Sequence, residues 1–267
     1  MHAINATTAA ALTESLTAIC AKAAQAVLAC GSARGLRDKT DGSPVTAADE
    51  ESEHLIRTAI ERLMPGVPIV SEEAWSPGNP PPQGGDGSYV LVDPLDGTRE
   101  FIAGRDEYTI NVALMANGAP LLGVIAAPAA GLLWRGLVGC GAERLSLANG
   151  TTGAPSAIRA RPRPARQPVI LVSRSHLDAP TKAYAAGLPQ ATLVPCGSSV
   201  KFCRIAEGTA DLYPRLGPTH DWDIAAGHAI LLAAGGSVAT PEGKPLRYGS
   251  AELLVPAFIA AGAPLTA

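Results

Sequence analysis

Two aspartates three residues apart end an apolar run in the stretch Val90-Leu91-Val92-Asp93-Pro94-Leu95-Asp96-Gly97-Thr98-Arg99-Glu100-Phe101. Residues 89–92 read as a short buried strand, bounded by a Gly-rich stretch before and a turn after. Pro94 fixes its own φ and keeps Asp93 extended, so the two carboxylates leave the strand end in set directions. Gly97 lets the backbone approach another group closely, and Thr98 offers a hydroxyl just beyond. Two carboxylates about 4 Å apart repel by about 4 kcal/mol at an effective dielectric of 20, so a site that holds them close wants a cation. Oxygen-only ligands favour a hard ion, Mg²⁺ above all, with a substrate phosphate completing the shell. On residue types alone the same stretch also fits a surface Asp-Pro turn.

Other features narrow the class of chain. A length of 267 residues holds one large domain or two small ones with a real core. No apolar run reaches a membrane span, and residues 1–12 lack the basic start and apolar core of a signal peptide. A net charge of −3 argues against a general nucleic-acid binder. Cys20, Cys30, Cys140, Cys196 and Cys203 form no Cys-x-x-Cys pair and read as buried small apolar residues in a reducing compartment. The expected location is the cytoplasm, with peripheral contact at the inner membrane left open.

Residues 13–30 carry apolar positions at helical spacing, and Gly31 is a natural stop. Residues 31–43 are polar and basic, a loop or short hairpin. Thr46 and Asp49 form a capping-box arrangement that opens a second helix to about residue 64. Residues 67–70 make a strand that delivers Ser71-Glu72-Glu73; adjacent glutamates by themselves read as a solvated loop. Residues 75–88 read as a surface loop. Residues 108–115 and 121–126 flank an Asn117-Gly118 hairpin turn, and residues 132–138 add a third strand to the meander. In residues 151–168, arginines alternate with prolines. That pattern fits an edge strand and interdomain connection better than a nucleic-acid patch. The second half alternates strands at 169–172, 191–195 and 210–215 with helices at 180–186, 198–207 and 223–234, and ends in a strand within 253–260. Such alternation argues for an α/β layer.

Asp93-Pro94-Leu95-Asp96-Gly97-Thr98, preceded by Ser71-Glu72-Glu73 and followed by Asp221-Trp222-Asp223-Ile224-Ala225-Ala226-Gly227, resembles the inositol monophosphatase superfamily. That superfamily comprises Mg²⁺-dependent, lithium-sensitive phosphomonoesterases, and the likeness extends from Ser43 to Gly243. The resemblance implies a mixed α/β fold, a layered αβαβα sandwich of two subdomains. Residues 1–155 would carry the main metal motif and residues 156–267 the substrate-binding elements. It further implies that Glu72, Asp93, the carbonyl of Leu95, Asp96 and Asp223 hold two or three Mg²⁺. Glu72 and Thr98 would orient the attacking water. Asp49 would stand at the edge of the site, where it binds a further ion or water besides capping its helix. The backbone N–H groups of Gly97 and Thr98 would face the phosphate, and Asp96 and Asp223 would also meet the substrate. Read without the resemblance, Asp223 is an acid at a helix start, favourable to the macrodipole. His228 reads as a core group, and no role is assigned to His220 or Asp221.

Cys196-Gly197-Ser198-Ser199-Val200-Lys201-Phe202-Cys203 and Leu212-Tyr213-Pro214-Arg215-Leu216-Gly217 resemble the 3′(2′),5′-bisphosphate nucleotidase branch of that superfamily. Ser198, Lys201 and Arg215 match positions that meet the nucleotide, chiefly its 5′-phosphate, and His176 would join them. The expected reaction is hydrolysis of the 3′-phosphate of adenosine 3′,5′-bisphosphate, a small-molecule partner. A second phosphate needs paired cations, which agrees with that choice. Two alternatives stand beside it. One is an inositol 1-phosphate or fructose 1,6-bisphosphate phosphatase on the same scaffold, and the other a non-catalytic Mg²⁺-binding regulatory protein. Monomer and homodimer are both left open.

Overall fold

The computed structural model describes residues 6–31, 34–39, 42–76, 87–164, 166–175 and 177–263. Helix α1 (Ala6–Cys30) leads into a hairpin of β1 (Arg37–Asp38) and β2 (Pro44–Val45), then helix α2 (Ala47–Leu63). There follow β3 (Ile69–Ser71), β4 (Tyr89–Asp96), the short helix α3 (Thr98–Ile102), β5 (Thr109–Ala116), β6 (Ala119–Ala127), β7 (Leu132–Leu137), β8 (Gly141–Ala148), β9 (Thr151–Thr152) and β10 (Ser156–Ile158). The rest runs β11 (Val169–Ser173), α4 (Ala179–Ala186), β12 (Thr192–Cys196), α5 (Val200–Ala206), β13 (Leu212–Arg215), β14 (Thr219–His220), α6 (Asp221–Ala233), β15 (Ser237–Ala239), β16 (Leu254–Val255) and β17 (Phe258–Ala261).

Two large sheets organise these elements. The first has the order β10-β8-β7-β6-β5-β4-β3, with β9 added on β8, and is antiparallel except for the β3–β4 pair. The second has the order β12-β11-β13-β17-β15, parallel on one side and antiparallel on the other. Helices α1 and α2 cover one face of the first sheet, α5 and α6 lie between the sheets, and α4 covers the far face of the second. The result is a five-layer αβαβα stack, a mixed α/β fold. The chain passes from one sheet to the other between Ile158 and Val169.

Helix α6 is apolar on nearly every side, as a helix enclosed between two sheets must be. Its close seating depends on glycines. A Cβ at Gly123 on β6 would lie 2.2 Å from the Ala226 carbonyl oxygen, and one at Gly136 on β7 would lie 2.7 Å from the Ile230 Cα. On the opposite face a Cβ at Gly227 would meet the Phe202 ring of α5 at 2.4 Å. Absent side chains at these three positions let α6 press against the first sheet and carry its N-terminal acids over β4.

Several boundaries differ from the sequence reading for identifiable reasons. Helix α1 begins at Ala6, a full two turns before residue 13. Thr13 and Thr17 return their hydroxyls to the carbonyls of Ala9 and Thr13 at 2.9 and 2.7 Å, so these polar residues sit within the helix. Strand β4 continues through Pro94 to Asp96, because a bulge absorbs the missing N–H: Asp93 pairs with Asn111 and Asp96 with Thr109. β8 and β15 were not anticipated. The expected last strand divides at Pro256 into β16, which pairs with β14, and β17, which joins the second sheet. Helix α6 starts at Asp221, which places Asp223 at its third residue. Of the five free cysteines, Cys20, Cys196 and Cys203 are buried, but Cys140 is exposed in the turn before β8. Most of the loop over 75–88 lies outside the described residues.

Candidate active site

The bulge in β4 decides how the two aspartates face. In a regular strand, residues three apart point to opposite sides. Here two residues of β4, Pro94 and Leu95, oppose one of β5, Ile110, and the extra residue brings Asp96 back to the side of Asp93. Both line a cavity of about 660 Å³ between the two sheets, together with Glu72 from the end of β3 and Asp223 from α6. Asp93 is almost fully buried. Leu95, Gly97 and Thr98 complete this wall. Gly97 has φ +92°, a left-handed conformation that starts α3 and suits glycine.

Each acid is fixed through one oxygen. Asp93 Oδ1 accepts from Leu95 N at 3.1 Å, and Asp96 Oδ2 from Ser199 N at 2.6 Å. Asp223 Oδ2 accepts from the Thr219 hydroxyl and, at 3.1 Å, from His220 N. That arrangement leaves a second oxygen on each carboxylate for a cation. Asp49 lies behind this wall, buried and outside the cavity lining. Its Oδ2 closes the capping box with Thr46 N (2.8 Å) and Thr46 Oγ1 (2.6 Å). Its Oδ1 lies 3.1 Å from Thr98 Oγ1, which is also 3.1 Å from the Leu95 carbonyl. One turn along α2, Ser52 donates to the Pro94 carbonyl at 2.8 Å. Helix α2 therefore braces the motif from behind.

A second part of the lining comes from the second sheet and α5. Ser198, at the loop between β12 and α5, has φ +43°, a strained conformation for a serine. The Lys201 ammonium, nearly buried, donates to the Cys196 carbonyl at 3.2 Å and to the Ser198 carbonyl, and stands 4.9 Å from the Tyr213 ring centre. An ammonium has three protons, so one remains for a ligand. Arg215, at the end of β13, donates to the Pro218 carbonyl at 3.0 Å and lines the same cavity. His176, expected beside these residues, lies outside the described residues.

Burial and crowding act together on the acids. Burial raises Glu72 to about 7, opposed by Lys39 and reinforced by Asp223. Burial raises Asp96 to about 6, with Asp223 adding to it and Lys201 opposing. Asp93 is pushed well up by burial and by the charges of Glu72, Asp96 and Asp223. Among the described residues no three acidic side chains are already gathered at metal-binding distance. The Lys39 ammonium stands 2.7 Å from both Glu72 and Glu73 and offsets part of their charge. Carboxylate oxygens that are fixed on one side and costly to ionise together fit a hard divalent ion, which would draw them inward.

The fold has close counterparts. A sequence model described as the inositol monophosphatase family matches residues 5–265. The chain belongs to the inositol monophosphatase family. The 3′(2′),5′-bisphosphate nucleotidase CysQ of Escherichia coli (strain K12) is 43% identical over 227 residues, covering 82% of this chain and 86% of that protein. The protein of the same description from Salmonella typhimurium is 40% identical over 230 residues, again 82% and 86% of the two chains. The crystal structure of CysQ from Bacteroides thetaiotaomicron, a bacterial member of the family, superposes with a TM-score of 0.78 at 35% identity, covering 94% of this chain and 97% of its own. An inositol monophosphatase from Anabaena, 23% identical with a TM-score of 0.72 over 96% and 92% of the two chains, shares the fold.

Within this family member the structure adds residues that sequence reading passed over. Lys39 was only part of a basic loop, 33 positions from the glutamate it meets. Asn111, Thr109 and Ser199 form a buried polar cluster beside Asp96. A lone asparagine inside the apolar run Ile110-Asn111-Val112 was the available signal, since a buried amide needs partners. Asp221 is fully buried and accepts from Gly249 N at 2.7 Å, a structural tie between α6 and the loop before β16; burial first, and Asp223 further, raise it to about 6. His228 is buried, holds Tyr248 Oη at 2.7 Å, and is kept neutral by burial that lowers it to about 4.

Proposed function

We propose that the protein is a 3′(2′),5′-bisphosphate nucleotidase that removes the 3′-phosphate of adenosine 3′,5′-bisphosphate to give AMP and phosphate. One observation carries the choice of substrate. A single cavity has an acidic wall of Glu72, Asp93, Asp96 and Asp223 and, from the second sheet and α5, a basic wall of Lys201 and Arg215. The acidic wall suits a reacting phosphate bridged by cations, and the basic wall suits a second, non-reacting phosphate. The curated relatives of that description share about two-fifths of their residues with this chain over more than four-fifths of its length.

Glu72, Asp93, Asp96, Asp223 and the Leu95 carbonyl would hold the metal, for which we infer Mg²⁺, two or three ions. When bound, such ions supply Lewis acidity and make a water nucleophilic near neutral pH. The chain's own groups then set the geometry. Glu72 orients the attacking water by accepting a hydrogen bond from it. Thr98 Oγ1, fixed between Asp49 Oδ1 and the Leu95 carbonyl, gives that water a second partner. The backbone N–H groups of Gly97 and Thr98 meet the phosphate oxygens. Arg215 and the remaining proton of Lys201 grip the 5′-phosphate, which holds the ester in line for attack.

The test is phosphate release from adenosine 3′,5′-bisphosphate, inositol 1-phosphate and fructose 1,6-bisphosphate, with Mg²⁺ and with excess chelator. The expected result is preference for the nucleotide and no turnover in chelator. Equal or better turnover of inositol 1-phosphate would move the protein to the other branch of its family, and full activity in chelator would end the metal reading.

A further inference from the structure

Ser199 is buried and joins the substrate loop to the aspartate motif by three contacts. Its backbone N–H donates to Asp96 Oδ2 at 2.6 Å. Its hydroxyl lies 2.6 Å from Asn111 Oδ1 and 2.7 Å from Thr109 Oγ1. An amide oxygen only accepts, so the Ser199 proton goes to Asn111, and the Thr109 hydroxyl, which also lies 3.4 Å from Asp96 Oδ2, donates to the nearer Ser199. This gives a directed chain, Thr109 to Ser199 to Asn111.

The register of β5 gives that chain its meaning. Asn111 is the residue paired with Asp93 across the bulge, and Thr109 is the one paired with Asp96. The two side chains that grip the loop are thus the β5 partners of the two motif aspartates. All three members are buried, where an unmet polar group costs more than at the surface. The Asn111 amide nitrogen stands close enough to Asp96 to favour its ionised form, against the burial that raises its pKa. On the far side of Ser199 stand strained Ser198 and, one turn on, Lys201, whose ammonium holds the carbonyls of Cys196 and Ser198.

We propose that Ser199, held by Thr109 and Asn111, is a positioning residue that locks the loop of the basic wall to Asp96, so that ion binding at the acids and nucleotide binding at the cations strengthen each other. The inference rests on the reading of Asp96 as a metal ligand given above. An ion that draws on Asp96 fixes, through Oδ2, the Ser199 backbone and with it the loop. A phosphate that orders the loop fixes Asp96 for the ion. Linkage requires the two effects to be equal.

Calorimetry tests the coupling without catalysis. Mg²⁺ is titrated into wild type, Ser199→Ala and Thr109→Val, each alone, with saturating AMP, and with inorganic phosphate. Wild type is expected to bind Mg²⁺ at least fivefold more tightly with AMP present, and AMP to gain the same factor from Mg²⁺. Ser199→Ala keeps the backbone donor but loses the hydroxyl chain, and its coupling should fall below twofold while its melting temperature stays within a few degrees. Thr109→Val removes the first donor and should reduce the coupling in the same direction, which decides the matter if Ser199→Ala does not fold. Retention of the full factor in the variants overturns the proposal. So does an uncoupled wild type that still cleaves adenosine 3′,5′-bisphosphate, an outcome that leaves the nucleotidase reading intact. Coupling with inorganic phosphate but not with AMP overturns the lock, because phosphate can meet the ions directly at the acidic wall.

Discussion

The acidic wall of the cavity is carried largely by the bulged end of one strand, β4, whereas the basic wall takes Lys201 from the start of α5, behind a strained loop, and Arg215 from the end of β13. Asp93 and Asp96 are aimed by the pairing of β4 with β5 and fixed by backbone donors. Lys201, in contrast, uses two of its three protons to hold the loop that precedes it, and that loop contains a serine at φ +43°. The difference matches the two tasks. Metal ligands must be held within a fraction of an ångström, while a wall that grips a distal phosphate only has to present charge at the right distance. Removal of an acid is therefore expected to abolish chemistry for every substrate. Removal of a cation should alter which substrate is preferred.

The largest effect tests the first half of that contrast. Asp96→Asn retains an oxygen for the Ser199 N–H but loses the ligand charge. It should lower kcat by about 100-fold, roughly 3 kcal/mol in barrier, on nucleotide and inositol substrates alike, with little change in melting temperature. Steady-state kinetics on both substrates decide it; a loss confined to one would place Asp96 in substrate selection.

The second half predicts selectivity. Arg215→Glu should reduce kcat/KM for adenosine 3′,5′-bisphosphate at least about tenfold, since truncating a desolvated charge partner costs about 2–5 kcal/mol. Inositol 1-phosphate, with no second phosphate, should be cleaved about as well as before. Equal losses on both substrates would mean that Arg215 supports Asp96 and Asp223, to whose charges it is also coupled, more than the ligand.

Those two walls were unequally readable in the sequence. The aspartate motif is local: Pro94 and Gly97 shape the backbone within six residues, and the bulge it requires spans just those positions. Asp49 and its capping box are local for the same reason. What was missed depends on residues far apart in the chain, such as Ser199 with Asn111, 88 positions away, and Lys39 with Glu72. No periodicity or spacing encodes such a contact. Only the stacking of two sheets on α6, which the glycines at 123, 136 and 227 allow, creates it. Helix α1 was read short because residues 6–12, mostly Ala and Thr, carry little apolar contrast for helical spacing to show.

The acidic wall also sets a pH dependence that the basic wall lacks. Glu72 and Asp96 bind protons more tightly in the folded, metal-free protein, near 7 and 6, than in an unfolded chain, where acids titrate near 4. The folded state therefore holds more protons across that interval, and stability without metal should fall as pH rises from about 4 to about 7. Mg²⁺ must displace those protons, so its affinity should rise over the same range and level off above about 7. Melting curves from pH 5 to 8 with and without Mg²⁺ read both slopes. Calorimetry in buffers of different ionisation enthalpy counts the protons released near pH 6. Affinity independent of pH would show that these acids are ionised before the ion arrives.

The smallest expected effect concerns Lys39, the cation that belongs to the acidic wall itself. Its ammonium lies 2.7 Å from both Glu72 and Glu73; burial works against its charge, yet these two acids raise its pKa overall. An arriving ion must share Glu72 with it. Lys39→Met keeps the unbranched stem of the side chain, one atom shorter, and removes the competitor, so at pH 8 Mg²⁺ should bind about three- to tenfold more tightly, on the order of 1 kcal/mol. At pH 6 the gain should shrink, because the same ammonium holds the Glu72 pKa down. Without it a proton becomes the stronger competitor. Calorimetric Mg²⁺ titrations of wild type and variant at the two pH values give both numbers. Weaker binding in Lys39→Met at pH 8 would show that the lysine shapes the glutamate for its ligand, and the acidic wall would then depend on a loop as the basic one does.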